Sequence, residues 1–120
     1  MIEYKLGNIE MQFANLIWTN EPISSGELVK LAEASISWKK STTYTILRKL
    51  CEKGIFQNEE GFVTSLVSKA EYISMQSERF VDETFDGSLP QFIASFAMRK
   101  TLSDNEIEEI QSLINKHKGE

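Results

Sequence analysis

Lys39-Lys40-Ser41-Thr42-Thr43-Tyr44-Thr45-Ile46-Leu47-Arg48-Lys49-Leu50-Cys51-Glu52-Lys53-Gly54 is the stretch on which the reading of this chain turns. Wound as a helix, it places Tyr44, Leu47, Leu50 and Cys51 on one apolar stripe, spaced i, i+3, i+6 and i+7. The other face carries Lys39, Lys40, Thr42, Thr45, Arg48 and Lys49. Gly54 follows the last turn, where a left-handed residue ends a helix, and Lys53 sits where a cation suits the helix dipole. From Lys39 to Lys53 five basic residues stand against one acidic residue, Glu52, in a chain whose net charge is −5. Hydroxyls and cations on the free side of an amphipathic helix fit a phosphate backbone. From this stretch alone a solvated charged face fits equally well.

The charge is unevenly placed. Residues 1–53 carry seven Lys/Arg and six Asp/Glu, whereas residues 54–120 carry six and twelve. The overall acidity therefore does not argue against a nucleic-acid partner, but the C-terminal half is a poor surface for phosphate. A length of 120 residues with 41% hydrophobic content suits one compact domain, or a small domain with an oligomerisation segment. Cys51 is the single cysteine, so no intramolecular disulfide forms; its place on the apolar side reads as packing in a reducing compartment. Met1-Ile2-Glu3-Tyr4-Lys5 lacks the basic start and apolar run of a signal peptide, and no run approaches a membrane span. The expectation is a cytoplasmic protein with no membrane insertion.

Upstream of the basic helix, a first helix is predicted from Asn8, as N-cap, to Thr19, with Ile9, Phe13, Leu16 and Ile17 inward and Pro22 stopping it. Ser24-Ser25-Gly26-Glu27 reads as a capping box opening a second helix whose Leu28, Leu31 and Ala32 face the core. Helix, short link and cationic helix make the helix-turn-helix pattern. Downstream, the period changes toward two. Ile55–Asn58 and Phe62–Leu66 flank Glu59-Glu60-Gly61, which predicts a hairpin and so a winged helix. Carboxylates at the tip would repel phosphate, so the wing tip receives no DNA contact.

Ser68-Lys69-Ala70-Glu71 opens a fourth helix ended by Asp86-Gly87. Ser88 caps a fifth, in which Leu89, Phe92, Ile93, Phe96 and Ala97 form an apolar stripe. Ser103-Asp104-Asn105-Glu106 opens the last helix, with Ile107, Ile110, Leu113 and Ile114 inward. Phe80, Phe85, Phe92 and Phe96 are more aromatic surface than three short helices easily hide, so burial against a second copy is the simplest solution. The fold class expected is mostly α with a small β-hairpin wing. A winged helix-turn-helix domain spans residues 1–68 and a three-helix dimerisation region spans 69–120.

Catalytic chemistry has little to work with. His117 is the single histidine and lies between lysines; there is no phosphate-binding glycine loop, H-E-x-x-H or Cys/His metal cluster. Neither enzyme activity, metal nor cofactor is expected.

The chain resembles the BlaI/MecI/CopY family of penicillinase and methicillin-resistance repressors from about Leu6 to His117. The resemblance is most specific over Ser41–Ile55, with support from Phe85-Asp86-Gly87-Ser88 and Leu102–Ile110. It implies a homodimeric repressor on a palindromic operator, its dimer made by the C-terminal helices. It further implies relief of repression through a membrane-bound sensor protease that leads to cleavage of the repressor. In relatives the cut falls in an Asn-Phe-Ala run; here the matching run is Ser95-Phe96-Ala97, with Ser in place of Asn. The cysteine cluster of the copper-responsive branch is absent.

These readings assign the DNA surface to Lys39, Lys40, Thr42, Thr43, Tyr44, Thr45, Arg48 and Lys49. Thr42 and Thr43 are set to meet base edges, and Arg48 to act as a bidentate donor to guanine or phosphate. The lysines hold phosphates, and Tyr44 packs with its hydroxyl exposed. Dimerisation falls to Phe80, Phe85, Leu89, Phe92, Ile93, Phe96, Ile107, Ile110 and Ile114, and cleavage to Ser95 and Phe96. Two other functions use the same residues: a winged-helix protein-interaction module, and a regulator holding a small molecule between its dimer helices.

Overall fold

The computed structural model describes residues 5–118; the Met1–Tyr4 part of the N-terminal stretch lies outside them. Six helices and three short strands follow in the order α1 (Asn8–Asn20), β1 (Ile23–Ser24), α2 (Ser25–Ile36), α3 (Lys40–Glu52), β2 (Phe56–Glu59), β3 (Phe62–Ser65), α4 (Lys69–Phe85), α5 (Leu89–Ala97) and α6 (Asp104–His117). The antiparallel sheet has the order β1-β3-β2, so the fold is a winged helix. Its third strand, β1, lies outside the expected hairpin. At two residues it is too short to show a period, and only pairing of Ile23 with Val63 and Ser24 with Phe62 defines it.

Local chemistry sets most element ends. Asn8 is the first residue of α1 rather than its cap: Gly7 takes the cap position, and its N–H donates to Glu10 Oε1 at 3.1 Å. The helix stops at Asn20 because Glu21, preceding Pro22, is held extended. Ser24 Oγ accepts the Glu27 N–H at 3.1 Å. Complete capping boxes form at Ser68–Glu71 and Ser103–Glu106. After α3, Gly54 adopts φ +84°, its N–H donates to the Cys51 carbonyl, and the Ile55 N–H donates to the Leu50 carbonyl. That is a Schellman stop, with buried Leu50 and Ile55 supplying the apolar contact that accompanies it. Glu60 and Gly61 both take positive φ between Glu59 and Phe62, which makes the wing a two-residue hairpin whose turn matches the strand twist.

The chain divides between Gln76 and Ser77, inside α4, into two compact units. The boundary lies later than the expected 68/69 because the first turns of α4 belong to the first unit's core. Tyr72 is buried there, its hydroxyl accepts the Leu6 N–H at 2.8 Å, and Met75 packs alongside. That core is built from Phe13, Ala14, Ile17, Leu28, Ala32, Leu47, Leu50, Ile55, Phe56 and Val63. Ile9, expected inward, is 51% exposed, and Ala14 takes its place on the buried stripe. Trp18 seals one side: its indole N–H donates to the Val67 carbonyl at 3.0 Å, and its ring packs near Phe56 and Tyr72. Glu21 ties the end of α1 to β3 by accepting the Ser65 N–H at 2.8 Å and the Ser65 hydroxyl at 2.9 Å.

The second unit differs in kind. Among its described residues none is buried, and Phe80, Leu89, Phe96, Ile107 and Ile114 are each exposed. Phe85, Phe92, Ile93 and Ile110 are half-buried. Phe80, Phe85 and Phe92 form an edge-to-face triad with centroids 5.7–6.0 Å apart, and Phe96 extends it from Phe92 at 6.3 Å.

Candidate nucleic-acid interface

Helix α3 is anchored by Thr43, Leu47 and Leu50, spaced i, i+4 and i+7, all buried. The anchor is rotated from the expected stripe, so Tyr44 and Cys51 move to a half-buried flank and Thr43 moves to the centre of contact. Thr43 is therefore not on the DNA face. It is 0% exposed, and its Oγ1 has no hydrogen-bond partner. The reason is phase: one turn before Leu47, position 43 must face the core whatever its chemistry.

At about 100° per residue, the exposed pole of α3 runs through Ser41 and Thr45, with Thr42 beside it; all three are exposed. Ser41 was passed over in the sequence, although its i, i+4 spacing from Thr45 was there to be read. Lys39 caps the helix in an extended conformation, and Lys39 and Lys40 are both exposed at its start. Their ammonium groups add to the positive end of the helix dipole at the place where phosphate would approach.

The two flanks differ. On the wing side, Arg48 is exposed beside Tyr44, Leu47, Cys51 and Asn58, which with it line a cleft of about 290 Å³ between α3 and β2. No hydrogen bond or ion pair among the described residues holds its guanidinium. Tyr44 is half-buried and its hydroxyl donates to Ser25 Oγ at 3.3 Å, so the phenol ties α3 to the start of α2. Burial, with Glu52 adding to it, pushes the Cys51 thiol up and keeps it protonated. On the α1 side, Lys49 Nζ lies 3.2 Å from Glu10 Oε2. The Gly7 N–H foremost, then the Lys49 ammonium, hold the Glu10 carboxyl below the usual carboxylate range against the opposing effect of desolvation. Glu10 is 39 positions from Lys49, so no local pattern could have announced the pair.

The structure thus leaves Lys39, Lys40, Thr42, Thr45 and Arg48 each exposed on α3 or at its start, gives Lys49 a carboxylate partner, and buries Thr43. Ser95 and Phe96 lie in the last turn of α5, both exposed, with the Ser95 and Phe96 carbonyls accepting N–H groups from Met98, Arg99 and Lys100. No helix among the described residues is long and apolar enough to cross a membrane.

Comparison with known proteins places this geometry in context. The family described as penicillinase repressor matches residues 6–116. A penicillinase repressor of Bacillus licheniformis is 26% identical over 119 residues, covering 96% of this chain and 93% of its own. The methicillin resistance regulatory protein MecI of Staphylococcus aureus strain Mu50 is 24% identical over 117 residues, covering 94% and 95%. A penicillinase repressor of Staphylococcus aureus is 23% identical over 117 residues, covering 94% and 93%.

Proposed function

The chain belongs to the penicillinase repressor family, and on that premise we propose that it is a DNA-binding transcriptional repressor, acting in the cytoplasm as a homodimer on a palindromic operator. The observation that carries the reading is the accessible face of α3, where Lys39, Lys40, Thr42, Thr45 and Arg48 stand exposed on a helix whose other side is locked into the core. Thr42 and Thr45, with Ser41 between the lysines and Thr45, offer hydroxyls to base edges in the major groove. Lys39 and Lys40 neutralise phosphates and set affinity without reading sequence. Arg48 supplies the planar fork for guanine or for a phosphate.

The apolar side chains of α4, α5 and α6 supply the second half of the mechanism. Phe80, Phe85, Leu89, Phe92, Ile93, Phe96, Ile107, Ile110 and Ile114 pack against the same set in a second copy, and two half-site contacts are joined. Tethering raises the effective concentration of the second recognition helix to roughly the millimolar range, so losing the dimer loses the operator. A membrane-bound sensor protease relieves repression by leading to a cut at Ser95–Phe96, which separates α6 from the rest without touching DNA.

Binding of the full chain to a duplex from its own upstream region, across ~50 to 200 mM salt, tests the reading. The expected result is selective binding that weakens steeply with salt, is lost in Arg48→Ala, and is lost in Phe96→Glu together with the dimer. Wild-type protein that shows no preference for any upstream duplex would refute it.

A further inference from the structure

Lys49 is a basic residue of the recognition helix that does not stand free. Its ammonium is 3.2 Å from Glu10 Oε2, while the other oxygen of the same carboxylate accepts the Gly7 N–H at 3.1 Å. The Glu10 side chain is 20% exposed, against 51% for Lys49. The charge of Lys53, which caps the C-terminal end of α3, acts on this carboxylate as well. Glu10 on α1 is therefore paired with one cation of α3, Lys49, and feels the charge of a second at its end. The wing flank offers Arg48 no such partner among the described residues, and neither Lys39 nor Lys40 has an ion-pair partner there. Among the described residues Lys49 is thus held by a carboxylate, whereas Lys39, Lys40 and Arg48 are not.

We infer that Glu10 is a positioning residue that limits affinity: it holds Lys49 off the phosphate backbone, so that contact is made by the remaining cations of α3. The inference rests on the DNA-binding reading above. Phosphate neutralisation is blind to sequence, and each neutralised phosphate steepens the salt dependence of binding by a fixed increment. A helix that used every available cation would bind any duplex, the operator included, more tightly and with a steeper salt dependence. Withholding Lys49 lowers the sequence-independent affinity while leaving the hydroxyls of Thr42 and Thr45 untouched. The Gly7 N–H matters because it fixes the carboxylate from the far side. A carboxylate held at two points is a poorer candidate for displacement by an incoming phosphate than a freely rotating one.

The test is Glu10→Gln in the full chain, with the double variant Glu10→Gln/Lys49→Gln alongside, each titrated against a non-specific duplex and the upstream duplex from low to moderate salt. Relative to wild type, E10Q should bind non-specific duplex about three- to tenfold more tightly, with log–log salt dependence steeper by about one, the increment for one added phosphate contact. The upstream duplex should gain by a similar factor, because a phosphate contact does not read sequence. The double variant should return the slope to the wild-type value. A merely structural role would lower the melting temperature of E10Q and weaken both duplexes together without changing the slope. That result, or an unchanged E10Q, overturns the inference. Wild-type protein without operator preference would refute the repressor reading while the non-specific slopes still report on Glu10. Wild-type protein that binds no duplex at low salt overturns both.

Discussion

Replacing Thr43 by valine should stabilise the protein and leave DNA binding alone. Thr43 is 0% exposed in the centre of the contact between α3 and the core, and its hydroxyl meets no acceptor or donor. A hydroxyl taken from water into such a site without a partner costs about 1–3 kcal/mol on mutational scales. Valine has nearly the same shape, keeps the β-branch and its helix propensity, and adds a methyl whose burial is worth about 0.8 kcal/mol. Allowing for imperfect fit of that methyl, the net gain is about 1–3 kcal/mol. For a unit of this size, 1 kcal/mol moves the melting temperature by about 4–8 °C, so a rise of about 4 °C or more is expected. Thermal unfolding by circular dichroism, with urea unfolding to check that the slope is unchanged, reads the stability. Titration of the upstream duplex reads the function. A melting temperature that stays level or falls would refute the burial argument. Affinity that drops by about tenfold, as for a lost base contact, would put Thr43 back on the DNA face.

Gly54→Ala should destabilise by about 1–2 kcal/mol, purely through its φ of +84°, because an added Cβ there meets nothing within 4 Å. Asparagine, which tolerates this region, should cost less, and urea midpoints distinguish the two. Trp18→Phe should cost about 1 kcal/mol through loss of the indole bond to the Val67 carbonyl, more if the smaller ring leaves a gap, again by urea unfolding. Glu10, Glu71 and Glu106 have carboxyls held below their ordinary value of 4.5, each foremost by a backbone N–H, of Gly7, Ser68 and Ser103 respectively. A depressed folded-state value stabilises above the ordinary range, and the contribution is lost as pH falls through the lowered values. Melting temperature should therefore decline from about pH 5 downward, and the decline should be shallower when all three are glutamine.

What the sequence conveyed depended on how far apart the interacting residues lie. The boxes at Ser68–Glu71 and Ser103–Glu106 were legible because donor and acceptor are three residues apart. The stop at Gly54 was legible because a glycine after an amphipathic run has one common meaning. The winged helix followed from the order of such local signals, and the exposure of Phe80 and Phe96 from their sheer area. Three features were hidden. The rotation of α3 that buries Thr43 in place of Tyr44 and Cys51 is set by what α3 packs against, and a threonine gives the apolar pattern no reason to include it. The strand β1 exists only because β3, about forty residues later, lies beside it. The Glu10–Lys49 pair joins two helices whose separate patterns are each complete without it.

The bond from the Leu6 N–H to the Tyr72 hydroxyl joins positions 66 apart and closes the first unit at both ends. Proteins are made from the N-terminus at about 5–20 residues per second, so the two partners are synthesised roughly 3 to 13 seconds apart. Through that interval Leu6, Phe13 and Ile17 are already linked to the ribosome while the tyrosine that finishes their cover is still unmade. The wing is translated in time to pair, but the unit it belongs to stays open until the start of α4 emerges. A message broken after the codons for the wing would leave a nascent chain with its recognition helix present and its core unroofed.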